Sequence, residues 1–359
     1  IASKNLPSAM VSKVQVLDRK SDMALMTGFD DGNEETVINL TIKPGMKEGV
    51  FGNAFAGHGN KDRYEAGAMV NYMRNNTQVT GLGGINNTNN AGFSDFASDM
   101  FGGGRPPRGV NFGGNNGISK TINGGFNFAT EYTEKFKWNG DVRYGSVNND
   151  VTSTSSTRYT GTQQVDNSTT MGNNKSDNFG ANLRFEWRPD TLTTLIFRPS
   201  IQYNKNRNMQ STESLSQNVN NNVAGIRSNS GYDSDGKGLN LNGSIDFSRK
   251  LNSNGRTISA TISGGISDSD SEGFDTAETI YEFVDPAKGD STDTRRQHFF
   301  QDNNGHNWKV FLSYVEPLGR SNFLQLTYNI SNNKSTTDKK TYDWNDVTND
   351  YTDLANNYT

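Results

Sequence analysis

The sequence predicts an all-β chain built as an antiparallel transmembrane β-barrel, on three observations: two-residue alternation, rings at the ends of the apolar faces, and a regular rhythm of connections. Side chains along a strand point to opposite sides with period two. Phe136, Trp138, Gly140, Val142 and Tyr144 alternate with Lys137, Asn139, Asp141, Arg143 and Gly145. Further on, Phe179, Ala181, Leu183, Phe185 and Trp187 alternate with Gly180, Asn182, Arg184, Glu186 and Arg188. The apolar face carries rings at its ends and small or aliphatic residues between, as where aromatic side chains sit at two membrane interfaces. Phe136, Trp138, Val142, Tyr144, Ala181, Leu183, Phe185 and Trp187 are therefore expected to face lipid.

Composition narrows the alternatives. Only 31% of the 359 residues are hydrophobic, the mean hydropathy is −0.79, and no run approaches the roughly 18 apolar residues of a spanning helix. A barrel escapes that test, because half of each strand and all loops stay polar. The 37 aromatics (Phe 20, Tyr 13, Trp 4), placed periodically, argue against a disordered chain. Net charge is −4 and no basic stripe occurs, so no nucleic-acid partner is expected. Without cysteine there is no disulfide framework and no thiol chemistry.

Alternation beyond residue 50 gives about eleven strands. They run 51–59, 63–74, 77–86, 120–131, 135–147, 178–188, 192–204, 238–250, 256–267, 307–315 and 322–331. From the second strand on, short connections alternate with long ones at 87–119, 148–176, 205–237 and 268–306. In a meander alternate connections share an edge, which matches short periplasmic turns and long extracellular loops. The long segments are rich in Asn, Ser, Thr, Asp and Gly and read as polar loops. The brief 60–62 connection is the exception on the long-loop side. The terminal DWNDVTNDYTDLANNYT also reads as a loop.

Residues 1–45 read as a small α/β unit, distinct from the barrel of 46–359. A short helix is expected from Pro7, since proline suits a first helical turn. A strand with Val14, Val16 and Leu17 follows, then the acidic loop TGFDDGNEE. A second strand carries Val37, Ile38, Leu40 and Ile42 and is broken by Lys43-Pro44-Gly45 before the first barrel strand.

The run NLPSAMVSKVQVLDRKSD…FDDGNEETVINLTIKPGMKEGVFGNAFAGHGNKDRYEAG resembles the junction between plug and barrel of TonB-dependent receptors, over about 70 residues. In that family a helix and strand like Leu6 to Leu17, then a strand like Val37 to Lys43, end the plug. The resemblance implies a Gram-negative outer-membrane receptor for active uptake of a bulky nutrient such as a siderophore, glycan or peptide. Its implied partners are outer-membrane lipid, the TonB complex through a segment absent from this chain, and a surface lipoprotein. The alternative is an outer-membrane adhesin or ligand-binding barrel without energised transport. The sequence departs from the family in lacking the TonB-contacting box and a closing aromatic strand. Such transporters have 22 strands, so the chain is expected to be the first half of a barrel with the end of a plug.

No enzyme and no cofactor are expected. His58, His298 and His306 show no metal-ligand pairing, and no nucleophile, base and orienting acid can be picked out. The loop FGGGRPPRG offers Phe101, Arg105 and Arg108 as ligand contacts, although it lacks the lysine and helix of a phosphate cradle. Arg143, Arg184 and Arg198 face the expected lumen and are candidates for a solute path, with cross-strand ion pairs as the competing role. Tyr159 and Tyr232 are candidate aromatic contacts in the long loops. DSDSEG places Asp268, Asp270 and Glu272 at the first, third and fifth positions of a calcium-type loop, but the twelfth position is Thr279. DSDG at 233–236 is a shorter version.

Overall fold

The computed structural model describes residues 11–20, 24, 34–43, 48–89, 117–217, 223–283, 287, 289–319 and 322–355. Strands β1 (Val11–Lys20) and β2 (Glu34–Ile42) pair antiparallel in a sheet of their own. Val16 lies opposite Ile38, and Val14, Val16 and Ile38 form an exposed apolar face. The helix expected from Pro7, most of the TGFDDGNEE loop and the Pro44-Gly45 break lie outside the described residues.

The rest is one antiparallel meander. Its strands are β3 (Gly49–His58), β4 (Tyr64–Arg74), β5 (Thr77–Asn86), β6 (Ile118–Thr133), β7 (Phe136–Arg158) and β8 (Val165–Trp187). Then come β9 (Thr193–Gln217), β10 (Val223–Lys250), β11 (Thr257–Phe283), β12 (Ser291–Pro317), β13 (Phe323–Asn345) and β14 (Asp350–Leu354). Each pairs with its neighbours in the chain, in the order β14 through β3, so the twelve-stranded sheet is open with β3 and β14 at its edges.

Strands β3 to β13 are the eleven that alternation picks out. Two expectations need correction. The segments 148–176, 205–237 and 268–306 are largely strand, because β7 to β12 run on for 23 to 28 residues each. At about 3.3 Å per residue, the 28 residues of β10 reach about 90 Å. The terminal segment likewise contains β14, turned back onto β13 through Asn349 at a φ of 54°. These stretches are rich in Asn, Ser, Thr, Asp and Gly, so composition mimics a loop while cross-strand pairing orders the backbone.

Register carries the apolar alternation from strand to strand. Phe136 faces Trp187, Trp138 faces Phe185, Val142 faces Ala181 and Tyr144 faces Phe179, so the eight residues expected to share a face do share one. Across β9 the same row positions are Leu195, Phe197, Ile201 and Tyr203, and across β10 they are Phe247, Ile245, Leu241 and Leu239. Ile258, Ile262 and Ile266 continue the face on β11, Tyr314, Leu312, Val310 and Trp308 on β12, and Leu326, Tyr328 and Ile330 on β13. Toward the other edge it passes through Phe126 and Phe128 to Val79, Val70 and Tyr72.

This apolar face is the open one: Tyr328 is 59% exposed, Ile262 53% and Val70 54%. The opposite face is polar and covered, with Thr80 at 1%, Ser259 at 1%, Ser313 at 3% and Asp246 at 7%. In a single-layer sheet such asymmetry means that the sheet curls around its polar side. The arrangement inverts the usual preference for apolar residues inside.

Side-chain locks fix the short turns. In the β8–β9 turn the amides of Leu192 and Thr193 donate to Asp190 Oδ1 at 2.8 and 2.7 Å, and the Thr193 hydroxyl donates to Oδ2 at 3.1 Å. These bonds, the Leu192 amide foremost, hold the Asp190 carboxyl below its ordinary value. A carboxyl depressed in the folded state stabilises above its unfolded pKa of about 3.9, and the contribution is lost as pH falls through the folded value. Asp190→Ala is thus expected to lower the protection of the Leu192 and Thr193 amide hydrogens, relative to their intrinsic exchange rates, at neutral pH, and to remove the further loss of protection on acidification. Unchanged exchange would count against the lock.

Candidate functional site

The polar face of β7 to β11 carries its charged side chains in three groups. Asn182 on β8 donates to Asp141 on β7 at 3.2 and 3.1 Å. Arg143 lies over Gly180, its cross-strand partner, where an added Cβ would meet Nε at 3.0 Å. Arg184 pairs with Glu186 at 3.1 Å, and Arg188 reaches the same carboxylate at 2.6 Å. On β9, Arg198 pairs with Asp246 of β10, which also accepts from the Thr261 hydroxyl of β11 at 2.7 Å. Arg184 lies between the paired positions Asn182–Ser200 and Phe185–Phe197, which brings it beside Arg198.

Arg143, Arg184 and Arg198 therefore come together on one face, and their neighbours are carboxylates and amides. Sequence reasoning does not single out Asp246 and Thr261, which lie 48 and 63 residues beyond Arg198. Only the register of β9, β10 and β11 reveals them, although both are polar residues in strands of otherwise clear alternation.

The other candidates lie elsewhere. Phe101, Arg105 and Arg108 fall outside the described residues. Tyr159 stands at the tip of the β7–β8 hairpin, where its amide donates to Gln164 O at 2.8 Å. The side-chain amide of Gln164, foremost, with Ser216 and the Tyr159 hydroxyl, holds Asp166 below its ordinary value. Tyr232 sits on the polar side of β10, stacked on Phe299 with centroids 5.8 Å apart. Its row meets β7 at Val151, eight residues short of Tyr159, so the two tyrosines do not form one site.

The calcium-type loop needs correction, since Asp268, Asp270 and Glu272 lie in β11 and not in a loop. An extended backbone spaces alternate side chains by nearly 7 Å along the strand and cannot wrap an ion. Asp270 pairs with Lys237 at 3.5 Å and Glu272 with His298 at 2.8 Å. Residues 233–236 are likewise strand, in β10. Among the described residues no group of three or more His, Cys, Asp or Glu is placed to hold a metal.

The apolar face has two aromatic rims. Toward the short turns, Phe128, Trp138, Phe185 and Phe197 follow one another with centroids 4.5, 6.2 and 6.1 Å apart. Toward the long hairpins, Tyr144, Phe179 and Tyr203 stand in one row. Between the rims lie Gly140, Val142, Ala181, Leu183, Ile201, Leu241 and Gly243.

No protein-family model matches the chain, and comparison with curated proteins finds no match either.

Proposed function

We propose that the twelve-stranded sheet is barrel wall in the outer membrane of a Gram-negative bacterium, and that the chain is part of a TonB-dependent receptor for active uptake of a bulky nutrient. One observation carries the membrane reading: an exposed apolar belt, rimmed by aromatics, crosses strand after strand opposite a covered polar face. The nine residues from Phe136 to Tyr144 match the roughly 9–11 residues that a tilted strand needs to cross a membrane. Charged side chains keep to the other face, which becomes the lumen. In hydrocarbon the unpaired edges of β3 and, at belt height, of β13 would each need partner strands, since β14 covers only Tyr342 to Asn345 and an open edge is costly there.

The receptor reading adds the separate β1–β2 sheet as the end of a plug, on the resemblance of residues 5–67 to the plug–barrel junction. Hairpins far longer than a crossing needs, about 9–11 residues per strand, suit capture of a large solute outside the cell. A surface lipoprotein and the TonB complex would be its partners.

The four tryptophans test the membrane reading directly. Trp138, Trp187 and Trp308 lie in the belt, and Trp344 lies on the hairpin extension. In the protein expressed from the full reading frame and reconstituted in vesicles containing brominated acyl chains, variants retaining only Trp138, Trp187 or Trp308 are expected to be strongly quenched and one retaining only Trp344 hardly at all. Equal quenching at all four, or none, refutes the belt. Energised transport is separated from simple adhesion by the dependence of uptake on TonB and on the inner-membrane proton gradient in cells carrying the full reading frame.

A further inference from the structure

At the height of the long hairpins the two faces of the sheet differ in charge. Five inward rows cross β8 to β12, from the row of Gly172, Gln210, Tyr232 and Asp275 to that of Gly180, Gln202, Asn240 and Ser267. Among these described positions the one charged residue is Asp275, which pairs with Arg295 at 3.0 Å. The others are Asn, Gln, Ser and Gly, with the rings of Tyr232 and Phe299 among them. The rows end on Arg143 of β7 and on Lys339 and Asp343 of β13. Over the same span the outward side of β10 carries Asp233, Asp235 and Lys237, and that of β11 carries Asp268, Asp270 and Glu272. Hydration of the strands alone does not require charge to leave one face.

Tyr232 stands within this neutral wall and is 41% exposed. Phe299 supports it from β12. The Phe299 ring lies over Gly273 of the strand between them, where an added Cβ would meet its Cζ at 2.7 Å. The two rings are 17° from parallel with centroids 5.8 Å apart. Lys339 Nζ sits 5.5 Å from the Phe299 centroid, which leaves Tyr232 as the open ring. Part of the wall is bonded within itself, Ser176 donating to Asn206 at 2.7 Å and Asn178 to Ser176 at 3.0 Å. Beside Tyr232, however, Asn174, Asn208 and Gln210 are exposed.

We propose that this inner wall binds a neutral oligosaccharide, with Tyr232 as the ring on which a sugar stacks. The inference rests on the membrane reading above, which makes the inner side the lumen, and it narrows the nutrient to one class. A pyranose shows C–H bonds on its faces and hydroxyls around its rim. The C–H face suits the electron-rich face of an aromatic ring. Each hydroxyl both donates and accepts, and so does a primary amide. A charged solute would call for a wall of opposite charge, and here amides and hydroxyls take those positions.

The test uses the protein expressed from the full reading frame in vesicles with brominated acyl chains. The probes are neutral hexasaccharides of α-1,4-glucose, β-1,3-glucose, β-1,4-mannose and β-1,4-xylose, the anionic hexagalacturonate, and a Ser-Gly hexapeptide blocked at both ends. Binding is read by saturation transfer from aromatic protons of the protein to the probe. At least one neutral hexasaccharide is expected to bind more tightly than the anion and the peptide. Tyr232→Ala should weaken it about tenfold, the loss of one stacked ring. Tyr232→Phe keeps the ring and should bind as the wild type does, and so should Met209→Ala, next to Asn208 on the opposite face. Binding of no neutral hexasaccharide, tighter binding of the anion or the peptide, or full binding by Tyr232→Ala overturns the inference. If the belt tryptophans are quenched by the brominated lipid in those same vesicles, the inference falls alone; if they are not, the membrane reading falls with it.

Discussion

Leu183→Arg is expected to abolish insertion of the folded sheet into bilayers, while Arg184→Leu, one residue away, leaves it nearly intact. Leu183 occupies the middle row of the belt, opposite Gly140, and its Cδ2 lies over that glycine where an added Cβ would come within 2.5 Å. A cationic residue at mid-depth on the lipid face costs about 2 to 4 kcal/mol, or roughly 30- to 900-fold in the folded fraction. Arg184 points to the polar side, and its partner Glu186 keeps Arg188 at 2.6 Å when Arg184 is removed. Removing Arg184 therefore strands no charge, and the large cost of leaving a buried carboxylate without its partner does not arise. The measurement is the folded fraction in vesicles, from heat-modifiable gel mobility across a urea series. Equal losses for the two variants would sink the face assignment.

The contrast between those neighbours was legible in the sequence because the belt meets hydrocarbon on one side only, and one-sided burial writes itself as period-two alternation. The same reasoning located β3 to β13. It stopped at the ends of the belt, where Asn, Ser, Thr and Asp predominate on the strands and the period-two contrast fades. There the strands are held by cross-strand polar pairs such as Asn173 with Asn148 at 2.7 Å, Ser176 with Asn206 at 2.7 Å, Ser155 with Ser168 at 3.1 Å and Thr170 with Thr212 at 3.1 Å. Each pair joins residues that look interchangeable with loop residues until the register is known. The arginines of the polar face were legible for the same reason as the belt. Their partners were not, because Arg198 meets Asp246 only if β9 and β10 pair in this one register.

Arg198→Leu is expected to be the most damaging single change on the polar face, at about 2 to 3 kcal/mol. Asp246 is among the most covered carboxylates of the sheet, and after loss of Arg198 it is left with the Thr261 hydroxyl at 2.7 Å. Breaking a buried ion pair from one side costs about 3 to 5 kcal/mol because the remaining charge is stranded. The lower figure follows from the Arg198 side chain being 30% exposed, so water already screens part of the interaction. The reverse change, Asp246→Asn, should cost less, since the guanidinium can extend toward solvent and the amide oxygen that replaces the carboxylate still accepts from Thr261. Combining Arg198→Leu with Asp246→Asn should then recover at least half of the loss, because no charge is left without a partner. Urea unfolding of the vesicle-inserted protein, followed by tryptophan emission, gives all three values. If the two single changes cost the same and the double variant shows their sum, the residues are uncoupled and the pair is not what holds β9 to β10 there.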